Sequence, residues 1–409
     1  MLRWIIFIIF YLVISFYGFQ ALKTVTKNVW FHYLFIAVAL VIAGNFIIQF
    51  TIYSEGRVLD PSKSYAFGFL LAFMSFNLVL VPILLGEDIL RFILGLYDKL
   101  ANKNDSFYLQ SRRKFVSQIA LGLAAIPFTS LLYGMYRGKY RFRVLNYTLH
   151  FEDLPDAFDG YKITQISDIH SGSFDNREKI EYGVNLINEQ QSDAILFTGD
   201  IVNNKASEMH DWKALFGTLN AKDGVYSVLG NHDYGDYVTW PSPEAKKQNL
   251  EELVQLQKEM GFDLLLNESR FIEKDGQRIA IVGVENWGKG GFKKAGDLKK
   301  AAQNIDAKDF KILMSHDPSH WEEEVIKDDY LYHLTLSGHT HGMQFGIEIP
   351  GWIKWSPVKW RYKYWAGIYK EMGQYINVNR GFGYLGYPGR VGIWPEITVI
   401  ELKKGTLNS

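Results

Sequence analysis

Four long stretches of this chain contain no charged side chain: residues 4–22, 28–54, 64–86 and 115–136. No other feature limits the possible folds as severely. About 20 apolar residues let a helix cross the hydrocarbon core of a bilayer, and a helix bonds its own backbone there. Buried helices of a large soluble domain are the alternative, but such helices rarely run uncharged beyond about 14 residues. Trp4, Trp30, Tyr53, Tyr65, Tyr133 and Tyr136 lie at or near the ends of the runs. Amphipathic rings favour the lipid–water boundary at such positions. The expectation is an all-α transmembrane region over residues 1–140, with four spans at about 4–22, 30–53, 65–86 and 115–136. This makes the chain a multi-pass protein of the cell membrane.

The formal net charge of zero conceals that boundary. Residues 1–136 hold 11 Lys or Arg and 6 Asp or Glu, so they are net +5 and the remainder is net −5. Charge density about doubles beyond residue 136, as for one part dissolved in lipid and one in water. Neither part offers a basic block to meet phosphates along a strand, which argues against a nucleic-acid partner. The absence of cysteine excludes disulfides, thiolate metal sites and cysteine nucleophiles.

Orientation is nearly balanced by charge. Lys23, Lys27, Arg91, Lys99, Lys103, Arg112, Arg113 and Lys114 flank one side of the four spans. Arg3, Arg57, Lys63, Arg137, Lys139, Arg141 and Arg143 flank the other, a near tie under the positive-inside rule. Ser111-Arg112-Arg113-Lys114-Phe115-Val116 resembles a twin-arginine export signal, which is read in the cytoplasm and places the downstream domain outside. The alternative is a pair of ordinary snorkelling anchors. The expectation is an extracytoplasmic catalytic domain.

From about residue 145 short apolar runs alternate with amphipathic helical stretches. Strands are expected at 161–167, 194–198, 225–229, 279–284, 311–315 and 334–337, with two more at 376–379 and 397–402. Helices are expected at 178–190, 211–219 and 244–260. Alternation of this kind predicts an α/β domain around a largely buried sheet.

Five of these strands are followed by polar residues of one chemical type. They are Asp168-Ile169-His170, Gly199-Asp200, Gly230-Asn231-His232-Asp233, His316-Asp317 and Gly338-His339-Thr340-His341-Gly342. Each motif alone is weak, because Asp, Asn and Gly are common in turns. Together they place five of the ten histidines at the carboxyl ends of strands, where α/β folds bind ligands. Imidazole and carboxylate suit divalent Mn, Fe or Zn. The donors exceed what one tetrahedral site needs and suit two ions about 3.5–4 Å apart. Asp200 is the natural bridge, because a carboxylate spans two ions and an imidazole does not.

The ordered series D-x-H, G-D, G-N-H-D, H and G-H-x-H resembles the calcineurin-like metallophosphoesterase superfamily. Within it, Leu154-Pro155-Asp156-Ala157-Phe158-Asp159-Gly160-Tyr161-Lys162-Ile163 is similar to the start of the domain in membrane-anchored bacterial phosphoesterases. The resemblance spans residues 145–402 and implies a metallophosphoesterase-type β-sandwich flanked by helices. It implies one ion on Asp168, His170, Asp200 and His341, and a second on Asp200, Asn231, His316 and His339. A hydroxide between the ions would attack phosphorus. His232 would bind the phosphoryl oxygen and protonate the departing alkoxide, with Asp233 holding its tautomer. Many members carry G-D-x-x-D at the second motif, whereas Asn203 stands at the last position here.

His320 is expected at a helix start or in contact with solvent, and His150, His210 and His333 in structural roles. His32 lies within a span. Residues 351–370 interleave Trp352, Trp355, Trp360, Trp365, Tyr362, Tyr364 and Tyr369 with Lys354, Lys359, Arg361 and Lys363. Aromatic and cationic side chains together suit a lipid headgroup surface. Packing of the rings into a core gap is the alternative. Trp355, Trp360 and Arg361 are the candidate contacts to a phospholipid or lipid-linked phosphoester. The expected function is therefore hydrolysis of a phosphodiester or pyrophosphate bond at the membrane. Two alternatives remain: hydrolysis of UDP-2,3-diacylglucosamine, and a non-catalytic membrane sensor or scaffold that retains the fold.

Overall fold

In a computed structural model, residues 2–51, 60–101, 110–349 and 351–406 are described. Tyr53, Arg57 and Lys103, used above for spans and charge, lie outside the described residues. Two units separate at Tyr136. The first consists of four helices, α1 (Leu2–Val25), α2 (Val29–Thr51), α3 (Pro61–Ala101) and α4 (Gln110–Tyr136). All four are long and apolar enough to cross a membrane. Small residues sit where they meet: Ala21, Ala120 and Ala124 pack with Leu80 and Leu84. Close backbone approach of this kind replaces the hydrophobic driving force that lipid cannot supply.

Helix α3 does not stop at residue 86. It continues through Glu87, Asp88 and Arg91, because a helix leaving the hydrocarbon can carry charges if they find partners. Asp88 accepts from Tyr17 Oη at 2.6 Å, while Arg112 and Arg113 lie 3.7 and 3.9 Å from Glu87 and Asp88. The arginine pair thus has acidic partners on α3.

The second unit begins with β1 (Arg143–Phe151), β2 (Lys162–Ile166), α5 (Arg177–Asn188), β3 (Ala194–Phe197), α6 (Lys213–Phe216) and β4 (Val225–Ser227). There follow α7 (Pro243–Glu259), β5 (Phe262–Leu264), β6 (Glu268–Lys274), β7 (Gln277–Gly283), α8 (Leu298–Ala301) and β8 (Phe310–Met314). The last elements are α9 (Pro318–Glu323), β9 (Leu334–Ser337), β10 (Ile347–Ile349), β11 (Ile353–Trp355), β12 (Gly367–Glu371), β13 (Gln374–Val378) and β14 (Glu396–Lys404). One sheet runs β1-β14-β2-β3-β4-β5 and the other β12-β13-β9-β8-β7-β6; β10 and β11 form a hairpin.

Period-two alternation explains how the sheets stack. Ala194 and Leu196 of β3 join Phe310, Ile312 and Met314 of β8 in the core between the sheets. Ile195 and Phe197 point the other way, into the core beneath α5 and α7. Leu313 likewise joins the core beneath α8 and α9. The result is the expected sandwich with helices outside it. Pairing from β2 to β5 and from β7 to β9 is parallel, so the motif-bearing carboxyl ends of neighbouring strands emerge together.

Candidate metal centre

The motif residues sit in an uncommon backbone conformation. Asp168, His170, Asp200, His339 and His341 all have positive φ, between 50 and 69°. Left-handed backbone costs an L-residue roughly 1–2 kcal/mol, and it persists where surrounding bonds over-determine it. Those bonds are present: the Asp168 amide donates to Gly199 O, the His170 amide to Asp200 O and the Gly383 amide to Asp168 O. The glycines leave room for the crossing. A Cβ on Gly199, whose φ is +95°, would lie 2.5 Å from Gly230 N, and one on Gly338 would overlap Ser167 Oγ and Asp168 Oδ2.

Two groups of donor atoms result, each with its members within 4.8 Å of one another: Asp168, His170 and His341, and Asp200, His316 and His339. In the first, His341 Nε2 lies 3.0 Å from His170 Nε2 and 3.2 Å from Asp168 Oδ1. In the second, His316 Nε2 lies 3.1 Å from Asp200 Oδ2, and the same oxygen is 3.6 Å from His170 Nε2. Asp200 therefore reaches toward both groups. Asn231 Oδ1 is 2.7 Å from His339 Nδ1, which joins it to the second.

These donors fit divalent cations, and His316 shows why. Its Nδ1 faces the Thr198 carbonyl at 2.7 Å, which can only accept, so Nδ1 carries a proton. In a neutral ring the opposite nitrogen would present its lone pair to a carboxylate oxygen, 3.1 Å away on Asp200. Burial would lower the His316 pKa, yet the charges of Asp200 and Asp168 push it up to about 10. The pocket demands positive charge at that nitrogen. Burial alone would raise the Asp168 and Asp200 carboxyls, but the surrounding histidines outweigh it and hold both below the usual range. His170 goes the other way, its burial holding the ring neutral as a metal ligand requires.

His232 and Asp233 have different partners from those expected. The carbonyl that receives the proton of His232 Nδ1, at 2.7 Å, belongs to Asn203 and not to Asp233. The buried Asp233 carboxylate accepts the amides of Gly230 (2.8 Å), Asp200 (2.9 Å) and Ile201 (2.9 Å). It ties the second motif to the third and holds no tautomer. A carboxylate one residue from His232 on a tight turn folds back on its own backbone. The departure at Asn203 thus falls on a residue whose backbone carbonyl orients His232.

Sequence reading missed several neighbours. Tyr237 Oη accepts from Asn231 Nδ2 at 2.8 Å and its ring packs on His232. Tyr362 Oη is 2.8 Å from His339 Nε2. The buried Asp317 places Oδ2 3.3 Å from that same nitrogen, and the fully buried Arg390 places Nη2 3.2 Å from His341 Nδ1. Asp317 stands in the fourth motif read from the sequence, which assigned it no role. Tyr362 belongs to the aromatic and cationic segment 351–370 noted in the sequence, but its contact with His339 appears only in the fold; Arg390 lies in a later loop and carries no local signal. Of the substrate-contact candidates, Trp360 is exposed, Trp355 is half-buried edge-on to Trp360, and Arg361 lies over the Phe292 ring. Tyr364 and Trp365 pack inside. His320 stands in the first turn of α9, the helix-start alternative of the two expected; it is buried there, with Nδ1 2.8 Å from Ser315 Oγ and its ring stacked on Trp287, so it makes no solvent contact.

Comparison with known proteins gives the family. Residues 161–343 match the family model Calcineurin-like phosphoesterase, and residues 2–139 match Probable Calcineurin-like phosphoesterase, transmembrane domain. The chain is 31% identical to the uncharacterized metallophosphoesterase YkuE of Bacillus subtilis over 299 residues, 72% of this chain and 98% of the relative. It is 26% identical to a transmembrane protein with metallophosphoesterase domain from Danio rerio, covering 68% of this chain and 62% of that one. The chain belongs to the calcineurin-like phosphoesterases, with a four-helix transmembrane domain ahead of the metallophosphoesterase domain.

Proposed function

We propose that this membrane protein is a hydrolase using two divalent ions, Mn, Fe or Zn, to cleave a phosphodiester or pyrophosphate bond in a lipid-linked substrate. The observation that carries this reading is the position of Asp200 between two buried donor groups. Asp168, His170 and His341 would hold one ion, Asn231, His316 and His339 the other, with Asp200 shared. When bound, such ions activate water and neutralise charge on the phosphoryl oxygens. The protein does the rest. Asn203 O keeps the Nδ1 proton of His232 in place, so Nε2 donates only when a second proton makes the ring an imidazolium; in that state it would donate to a phosphoryl oxygen and give up the Nε2 proton to the leaving alkoxide as the P–O bond breaks, ending neutral. Asp233 fixes the turn on which His232 stands.

The exposed Trp352 and Trp360 with neighbouring Lys359 and Arg361 support a substrate presented at a lipid surface. The test is digestion of a lipid extract by wild type and by Asn231→Ala, read by mass spectrometry, with metal analysis of both proteins. Loss of a phosphoester lipid with wild type alone supports the reading. A protein without bound metal and without turnover in Mn²⁺ would be a scaffold instead. We place the catalytic domain outside the cytoplasm on the strength of the Arg112-Arg113-Lys114 run. The acidic partners Glu87 and Asp88 give the arginines a second use, so a reporter fused after Ser409 decides. An interior reporter would return UDP-2,3-diacylglucosamine to the candidate substrates.

A further inference from the structure

Apolar surface on the catalytic domain is concentrated in one place. Among its described residues, ten large hydrophobic side chains are exposed, and Met343, Phe345, Ile347, Ile349, Trp352 and Trp360 account for six. Trp352 and Trp360 are exposed by 76% and 75%. They surround the β10–β11 hairpin and the turn after it.

The first strand of that hairpin, β10, has its polarity reversed. Ile347 and Ile349 face outward, while Glu348 between them turns in and pairs with the buried Arg380. On β11 the partner of Glu348 is Lys354, which is itself exposed while its ammonium donates to Ala366 O. Ile347 pairs with Trp355 and Ile349 with Ile353, so cross-strand neighbours extend one apolar face. A hairpin at a water boundary shows the opposite pattern, with polar side chains out and apolar side chains in. The inward charge of Glu348 is satisfied by Arg380, so the apolar side chains of β10 are left on the outer face.

We propose that this face inserts into the interfacial layer of the bilayer that the four helices cross, with anionic phospholipid as its occupant. Aromatic and branched aliphatic side chains rimmed by cations suit that layer, and Lys359 and Arg361 supply exposed cations beside Trp360. The domain is tied to a membrane by its own chain, since α4 ends at Tyr136 and β1 begins at Arg143. The hairpin is also rooted in the metal centre. Ser356 Oγ donates to Gly342 O at 2.7 Å, next to His341, and Tyr362 Oη meets His339. A phosphoester at headgroup depth would thereby reach the metal centre without leaving the membrane. This last consequence rests on the proposed hydrolase activity; the docking itself does not.

The chain has no cysteine, so single cysteines can be introduced and spin-labelled cleanly. The full-length protein carrying Ile349→Cys, Trp352→Cys or Tyr182→Cys is reconstituted in nanodiscs of phosphatidylcholine and phosphatidylglycerol. Tyr182 is the exposed control on α5. Collision with oxygen, which concentrates in lipid, is compared with collision with a water-soluble nickel chelate. The expected oxygen-to-nickel ratio at positions 349 and 352 is several-fold above that at 182. Equal ratios at the three positions would overturn the proposal. Dipolar broadening between labels, without oxygen preference, would assign the face to a second copy of the chain and overturn it equally. A second measurement keeps docking apart from catalysis. Ile347→Ser with Ile349→Ser should leave turnover of a soluble diester unchanged and lower turnover of a lipid phosphoester in vesicles several-fold. Equal turnover of both substrates by the variant and wild type would refute the link to the metal centre while leaving the labelling result to judge the docking.

Discussion

Replacing Asp233 by Asn separates two roles that one carboxylate could have beside His232. Its two oxygens accept four amides, Oδ2 from Gly230 and Asp200 and Oδ1 from Ile201 and, at 3.4 Å, Val202. An Asn side chain keeps one oxygen. The cheaper orientation leaves it on Gly230 and Asp200 and turns the amide nitrogen toward the Ile201 N–H, donor against donor. One bond to a charged acceptor and one buried donor's partner are lost, about 2–3 kcal/mol. At about 2–4 °C per kcal/mol for a domain of this size class, the melting temperature should fall by about 5–10 °C. Near-UV circular dichroism of the detergent-solubilised protein reads the shift, with turnover of a chromogenic diester measured beside it. Because Asn203 O holds the His232 ring, the pH dependence of turnover by the remaining folded enzyme should keep its shape. An unchanged melting temperature with a displaced pH profile would refute this reasoning and return Asp233 to the role of tautomer holder.

Three further outcomes rest on the same geometry. Asp200→Asn should lower bound metal and cut turnover by at least about 100-fold, since losing even a group that only orients a ligand costs about 10–100-fold; full metal occupancy by elemental analysis would contradict the shared position. His232→Ala should retain metal but slow an alkyl diester by about 10²–10⁴-fold, and a p-nitrophenyl diester far less, because only the poor leaving group needs a proton. Equal losses on the two substrates would show that His232 acts elsewhere. Burial of His320 lowers its pKa to about 4, so below the ordinary value near 6.5 the unfolded chain takes up a proton that the folded chain refuses. Stability is fully present above that value and falls as pH drops toward 4, by about 3 kcal/mol in all. Urea midpoints of wild type and His320→Gln measured across this window should diverge at high pH and converge at low pH; parallel curves would exclude the effect.

Much of the metal centre was legible because its chemistry is local in the chain. Each motif directly follows a buried strand, and parallel pairing brings neighbouring strand ends together, so Asp168, Asp200, Asn231, His316, His339 and His341 needed no long-range information beyond strand order. Six strands were missed: β5, β10, β11 and β12, whose three to five residues of mixed polarity give no usable period, and the longer edge strands β1 and β6, which are only partly buried and lack a clean apolar alternation. On β10 the pattern misleads outright: the ion pair from Glu348 to Arg380 sets which face is inside, and the two are far apart in the chain.

By itself the sequence determined the four apolar helices, the change of solvent at residue 136 and the set of candidate donors for metal. Runs of uncharged residues and Asp or His at strand ends depend on neighbours in the chain, and short-range physics reads them. Tertiary structure alone decided how those donors are held. Asp233 clamps two turns because Gly230 and Asp200 approach across separate strands, and the Asn203 carbonyl reaches His232 from a loop 29 residues earlier. Positive φ at five motif residues is likewise imposed from outside, by amides and carbonyls of other strands meeting over glycines that leave them room. Such contacts form only once the two sheets have stacked, and no local pattern in the chain encodes them.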